Sequence, residues 1–181
     1  VSDENGLNIG MRHISLSTCG LVDKIYKLAE EDFQITLSIS LHASSDEIRS
    51  KIMPVNRKWG VDELLDACKA YFDKTGRRIS FEYTLIAGEN DSEENALALA
   101  KKLNSKLRTR NSTMPIHVNL IPVNPVKERD FKKSGKAEIR KFAKVLEDKG
   151  IRATVRRTLG ADINASCGQL RRDEMKKESN G

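Results

Sequence analysis

Cys167 is the side chain with the most direct claim to covalent chemistry. It lies in Gly160-Ala161-Asp162-Ile163-Asn164-Ala165-Ser166-Cys167-Gly168-Gln169-Leu170, where the glycines admit turns closed to residues with a Cβ and where Ala165 and Ser166 add little bulk. A sulfur there is open to close approach by a ligand. It reads either as a nucleophile or as small apolar filler, because a free cysteine packs like a small hydrophobe. Three more groups of small polar residues each close an apolar run: Ser17-Thr18-Cys19-Gly20, Ser40-Leu41-His42 and Pro122-Val123-Asn124-Pro125. Their hydroxyls, amide and imidazole hydrogen-bond ribose hydroxyls, an amino-acid carboxylate and the edge of adenine. A nucleoside joined to an amino acid, held beside a thiol, would satisfy all of them.

The elements that must position these groups alternate. Residues 13–18, 35–42, 79–85, 116–122 and 152–157 read as five strands. Between the first two, Leu21, Ile25, Leu28 and Ala29 share a helical face, and residues 46–53 make a shorter helix stopped near Pro54. Val61, Leu64, Leu65, Cys68, Tyr71 and Phe72 form an apolar stripe that ends at Gly76, which assigns Cys68 to the core. Asp91 with Glu94 reads as a capping box for a helix whose buried side is Ala96, Leu99, Ala100, Leu103 and Leu107. A last helix uses Ile139, Phe142, Ala143 and Leu146 before Gly150. Alternating strands and helices imply parallel strands joined by helical crossovers, hence an α/β fold.

A parallel sheet covered on both faces has strands that are apolar almost throughout. These strands instead alternate: Ser38, Ser40 and His42 oppose Leu37, Ile39 and Leu41; Ser80, Glu82 and Thr84 oppose Phe81, Tyr83 and Leu85; His117 and Asn119 oppose Val118 and Leu120. The pattern suits the lumen of a parallel barrel with outer helices, the competing account being polar groups hydrogen-bonded within a core. In such a barrel, ligand groups come from the carboxyl ends of strands and the loops after them, which is where the polar groups fall.

The chain has 181 residues, 38% of them hydrophobic and 32% charged, enough for one domain with a real core. Its three cysteines are too widely separated for a metal motif or a disulfide framework, which fits a reducing cytoplasm. No apolar run reaches the roughly 20 residues of a membrane helix. The formal charge is +6, with basic pairs such as Arg77-Arg78, Arg156-Arg157 and Arg171-Arg172; that suits either a polyanionic partner or a solvated basic surface. Residues 124–135, with Lys127, Arg129, Lys132 and Lys133, form the longest irregular stretch and are a candidate RNA-facing loop.

Several ordered motifs resemble the RlmN/Cfr family of radical SAM RNA adenine C2-methyltransferases, and RlmN more closely than Cfr. They are Gly6-Leu-Asn-Ile-Gly, Arg12-His-Ile-Ser-Leu-Ser-Thr-Cys-Gly20, Ile39-Ser-Leu-His-Ala43, Asp46-Glu47-Ile48-Arg49, Met53-Pro54-Val55-Asn56, Phe81-Glu82-Tyr83, Asn119-Leu-Ile-Pro-Val-Asn-Pro125 and the Cys167 segment. The resemblance implies that Ser17, Ser40, Leu41, His42 and Asn124 contact S-adenosylmethionine and that Cys167 is the methyl carrier. In the family's mechanism one S-adenosylmethionine methylates this cysteine. A second, cleaved at a [4Fe-4S] cluster, gives a radical that activates the S-methyl group for attack on C2 of adenine in 23S rRNA or tRNA. The family's Cys-x-x-x-Cys-x-x-Cys and Gly-Glu-Pro motifs, its catalytic Glu and its second cysteine are not found, and Cys19, Asn164 and Ser166 stand where Ser, Asp and Ala are usual.

The expectation is therefore a C-terminal portion of such an enzyme, with no metal ligands of its own and inactive alone. Residues 1–10 would be a truncated connection, 11–172 the C-terminal part of an incomplete radical-SAM-type (βα) barrel, and 173–181 a flexible tail. Its first strand, lacking an upstream neighbour, invites edge-strand self-association. A non-enzymatic RNA-binding module derived from the same family is the alternative.

Overall fold

The computed structural model describes residues 1–108, 114–123 and 131–156. Five strands, β1 (Ser15–Thr18), β2 (Thr36–Ser40), β3 (Ile79–Leu85), β4 (His117–Pro122) and β5 (Arg152–Val155), form one sheet in the order β1-β2-β3-β4-β5. Every neighbouring pair is parallel. The connections carry α1 (Val22–Glu30), α2 (Asp46–Ile52), α3 (Val61–Thr75), α4 (Glu93–Leu107) and α5 (Lys136–Asp148). Strict sequential order with crossovers of one hand puts the helices on one face, as in a barrel wall rather than a doubly wound sheet. Among the described residues the wall does not close: β1 and β5 are its two edges. This is the incomplete barrel expected from the alternation, which implies a barrel wall, together with the family resemblance, which implies that part of it is missing.

The core lies between the sheet and its helices. Leu37, Ile39, Ile79, Phe81, Tyr83, Leu85, Val118 and Leu120 are buried from the sheet, against Ile25, Leu64, Leu65, Cys68, Tyr71, Leu99, Leu103, Phe142 and Leu146 from the helices. Burying each large side chain stabilises the fold by roughly 1.5–3 kcal/mol. The two core tyrosines keep their hydroxyls satisfied, Tyr71 donating to the Ile35 carbonyl at 3.1 Å and Tyr83 to that of Asn90 at 2.9 Å. Cys68 is fully buried as its stripe predicts. β1 is thinly covered: Leu16, on the helix side by its register with Leu37, is 44% exposed.

The helix ends follow local chemistry. Gly76 closes α3 at φ 63°, and the α3 amide of Val61 donates to the Asp46 carboxylate at 2.7 Å. At α4 the cap is Ser92, whose hydroxyl accepts from the Asn95 amide at 3.2 Å, so the start lies one residue beyond the expected Asp91–Glu94 box. Asp91 serves the preceding turn instead, accepting from the Gly88 amide at 2.9 Å.

Candidate ligand-binding site

β2 stops at Ser40, two residues before its apolar–polar alternation does, and the reason lies in where the next carbonyl is used. In a continued parallel ladder the Thr84 N–H would donate to the Leu41 carbonyl. That carbonyl instead accepts from Arg49 Nε at 3.0 Å. The Thr84 N–H turns to the imidazole Nδ1 of His42 at 3.1 Å, and the carbonyls of Thr84 and His42 both accept from the Asn90 amide, at 2.7 and 2.9 Å. His42 itself sits at φ 59°, in the left-handed region that a histidine adopts only when its surroundings hold it there. Alternation places His42 beside Ser38 and Ser40; the structure instead makes its ring a substitute ladder partner between the ends of β2 and β3. With Nδ1 accepting, the ring proton is on Nε2. Burial, aided by the charge of Arg49, pushes the His42 pKa down to about 4, so the ring is neutral.

Arg49 organises this rim. Fully buried at the middle of α2, it donates through Nη2 to the carbonyls of Cys19 at 2.8 Å and Ser40 at 3.1 Å, through Nε to Leu41, and through Nη1 to the Asn56 side-chain oxygen at 2.9 Å. Asn56 passes the link on, its amide donating to the Asp46 carboxylate at 3.0 Å and to the Ser50 hydroxyl at 2.9 Å. The guanidinium thus ties the turn after β1 to the turn after β2. Gly20 sits in that first turn at φ 101°, which L side chains rarely adopt, and a Cβ there would stand 3.0 Å from Leu64 Cδ2 and 3.1 Å from Arg49 Nη2. Burial lowers the Arg49 pKa while Cys19, Asp46 and Cys68 oppose the shift, and a guanidinium keeps its proton throughout.

The polar face of the sheet is a connected surface. Glu82 is in register with Ser40 on β2 and Asn119 on β4. Its carboxylate accepts from the hydroxyls of Ser38 at 3.1 Å and Ser80 at 3.2 Å and from the Asn119 amide at 2.7 Å. Ser80 also meets His117 Nδ1 at 3.0 Å, His117 Nε2 meets Thr154 at 3.0 Å, and Thr154 donates to the Asn119 amide oxygen at 3.3 Å, which closes a ring of five side chains. With Ser80 donating to Glu82 and Thr154 to Asn119, only an imidazolium supplies both remaining protons. Burial and the guanidiniums of Arg78 and Arg152 push His117 the other way, against the pull of Glu82. With a neutral His117, the hydroxyls, the amide and the imidazole supply four protons for five hydrogen bonds, so the ring holds one proton fewer than it has places for.

Of the residues the sequence nominates, Ser17 is exposed on β1, Ser40 is half-buried at the end of β2, Leu41 is buried and His42 forms the turn just described. Register sets Ser17 beside Ser38, one alternation below Ser40 on the same face. Asn124 and Cys167 lie outside the described residues, as do Lys127 and Arg129 of the basic loop; the Lys132 carbonyl accepts from the Ala87 amide at 2.9 Å. Arg49, Asn56 and Glu82 occur in the recognised motifs, yet nothing in their spacing announces that they converge. Asn90 gave no signal, a lone amide in a polar loop.

A ligand with hydroxyl, carboxylate and base edges, as S-adenosylmethionine has, fits the donor set of this rim: hydroxyls at Ser17 and Ser40 and a ring N–H at His42. A [4Fe-4S] cluster finds no such fit here. Among the described residues no three His, Cys, Asp or Glu side chains gather as a metal site, and of the two described cysteines Cys68 is enclosed in the core while Cys19 is exposed.

The model of the Radical SAM superfamily matches residues 2–100. The chain is 56% identical over 178 residues to the protein named probable dual-specificity RNA methyltransferase RlmN of Clostridium botulinum (strain Alaska E43 / Type E3), which takes in 98% of this chain and 49% of that protein. With the protein of the same name from Clostridium perfringens (strain SM101 / Type A) the identity is 53%, at the same coverage. The chain spans about half the length of the curated relatives it matches. A radical SAM methyltransferase from Sphaerobacter thermophilus superposes with a TM-score of 0.84 at 46% identity, over 93% of this chain and 47% of that one. A domain of pyruvate-formate lyase-activating enzyme from Bacteroides vulgatus, 18% identical with a TM-score of 0.60, shares the fold. A family match over more than half the chain, on a sheet of this order, makes the conclusion plain: the chain belongs to the radical SAM superfamily, and the RlmN/Cfr resemblance carried by its motifs holds.

Proposed function

We propose that this chain is the S-adenosylmethionine-binding portion of a cytoplasmic radical SAM methyltransferase that methylates C2 of adenine in 23S rRNA and tRNA, and that it is inactive by itself. Ser17, Ser40, Leu41, His42 and Asn124 hold the cofactor, and Cys167 carries the methyl group as S-methylcysteine. The observation that carries the reading is the rim at the carboxyl ends of β1 and β2. There Ser40 and His42 stand fixed at the end of the sheet's polar face, in a chain more than half identical to proteins named as RNA methyltransferases. S-adenosylmethionine, when bound, supplies the methyl group and the radical that activates it, with the [4Fe-4S] cluster contributed by residues outside this chain.

The chain's own part is to bind, orient and exclude water. The Ser17 and Ser40 hydroxyls and the Asn124 amide orient polar groups of the cofactor. The neutral His42 ring donates through Nε2 and adds no positive charge beside a cationic sulfonium. Among the described residues no helix is long and apolar enough to cross a membrane, and the formal charge of +6 favours contact with RNA.

The deciding experiment is methyl transfer from S-adenosylmethionine to 23S rRNA and tRNA fragments by the full-length protein, with peptide mass spectrometry for S-methylation of Cys167. Methylated adenine together with S-methylated Cys167 supports the reading. RNA binding that persists without either would favour the non-enzymatic module.

A further inference from the structure

Three parts of the molecule stand apart from the assigned contacts: the Glu82–His117 ring, the thinly covered β1 edge and the buried Arg49. The ring bonds among its own side chains and singles out no ligand, and the β1 edge identifies no occupant. Arg49 differs, because every bond it makes reaches a residue that shapes the rim. Three of its acceptors are backbone carbonyls, those of Cys19, Ser40 and Leu41, and the fourth is the Asn56 side chain. A main-chain carbonyl held by a guanidinium fixes the peptide plane, and with it the direction of the next residue. The Cys19 carbonyl fixes the turn into Gly20. The Ser40 and Leu41 carbonyls fix the two peptides leading to His42.

By taking the Leu41 carbonyl out of the ladder, Arg49 leaves the Thr84 N–H to the His42 ring, and this bond sets both the tautomer and the rotamer of His42. Asn56 and Asp46 keep the guanidinium in place, and Asp46 also caps α3, so the rim is anchored to the helix layer. A buried guanidinium must find acceptors somewhere, and two of the four found here are the carbonyls of the peptides that lead to His42.

We propose that Arg49 is the positioning residue of the cofactor-binding rim: it holds the turns after β1 and β2 in the arrangement that presents Ser17, Ser40 and His42 to a common ligand. The inference rests on the S-adenosylmethionine-binding reading for the identity of that ligand, though not for the geometry. Its neighbours bear on the outcome. Cys19, Asp46 and Cys68 are the titratable groups that act on Arg49, and Arg49 in turn acts on His42. Lysine in its place keeps the charge but reaches fewer carbonyls, so Arg49→Lys separates charge from geometry.

The test compares wild type, Arg49→Lys and Arg49→Met, with Leu107→Val as a destabilised control whose change lies in the core at the carboxyl end of α4, the end opposite the rim. Two quantities are read: the His42 tautomer with Thr84 amide exchange by NMR, and S-adenosylmethionine affinity by titration calorimetry on the full-length protein. In wild type His42 carries its proton on Nε2. In Arg49→Met the Thr84 amide loses at least tenfold more exchange protection than the fall in global stability accounts for and the Nε2–H tautomer is no longer fixed, while the Leu107→Val control keeps the tautomer and loses protection only as far as its global stability falls. S-adenosylmethionine affinity falls tenfold or more in Arg49→Met and by less in Arg49→Lys. Should Arg49→Met fail to fold, Arg49→Lys carries the same comparison with a smaller loss.

An unchanged His42 tautomer and Thr84 exchange in a folded Arg49 variant overturns the proposal, as does equal affinity when wild type binds the cofactor. If wild type binds no S-adenosylmethionine, the functional reading fails while the NMR comparison still decides the role of Arg49.

Discussion

The Thr84 amide donates to Nδ1 of His42 at 3.1 Å, a side chain standing in for the main-chain partner that β2 no longer provides. That single bond makes a neutral imidazole part of the sheet, and it ties stability to pH. The His42 pKa is lowered to about 4 by burial and then by Arg49, against an ordinary value near 6.5. The unfolded chain therefore binds a proton at this position, between those two values, that the folded chain refuses. Stability from His42 is fully present above about pH 6.5 and is lost as pH falls toward 4, at up to about 1.4 kcal/mol per pH unit. Urea unfolding at pH 7, 6, 5 and 4 should show this slope, and His42→Asn, which keeps an acceptor and tolerates the left-handed region, should flatten it. Equal slopes in the two proteins would refute the assignment.

Gly20→Ala tests the tightness of the first turn. Its φ of 101° and the 3.0–3.1 Å approach of a new Cβ to Leu64 and Arg49 predict a loss of about 1–3 kcal/mol in denaturant unfolding. A loss below about 0.5 kcal/mol would mean that the turn relaxes freely.

Phe142 is 1% exposed and stacks at a tilt on Tyr83, ring centres 5.1 Å apart, which pins α5 to the sheet. Phe142→Ala should cost about 3–5 kcal/mol, read as a lower urea midpoint at unchanged slope. Near-neutral behaviour would place this contact outside the cooperative core.

In the full-length protein Cys167→Ala should abolish methyl transfer and the S-methyl peptide while leaving the melting temperature within a few degrees, because a small residue among glycines gives up little packing. Turnover retained by this variant would remove Cys167 as the carrier.

β1 leaves one row of its backbone groups unpaired within the described sheet and carries the half-exposed Leu16. Concentration-dependent self-association of the 181-residue chain should appear in sedimentation velocity, and Leu16→Lys should suppress it. A monomer at all accessible concentrations, with or without the substitution, would count against an adhesive edge.

The sequence by itself determined the strand and helix order, the parallel sheet, the buried side of α3 and the polar face of β2 to β4. These follow from local periodicity, which is written along the chain. β3 was legible to the residue. It also nominated Ser17, Ser40, Leu41 and His42, since small polar residues closing apolar runs fall at strand ends. Only the tertiary structure decided what those ends do. β2 was expected to run through residue 42, but Arg49, from the following helix, takes the Leu41 carbonyl and ends the ladder at Ser40. The proton on His42 depends on an amide 42 residues away, and the ring is kept neutral by burial, aided by the charge of an arginine that the sequence places on a short helix. Periodicity reports which face a residue occupies. It carries no information about which carbonyl a long side chain will reach, because that is fixed only when distant segments pack and leave a buried charge to find its acceptors.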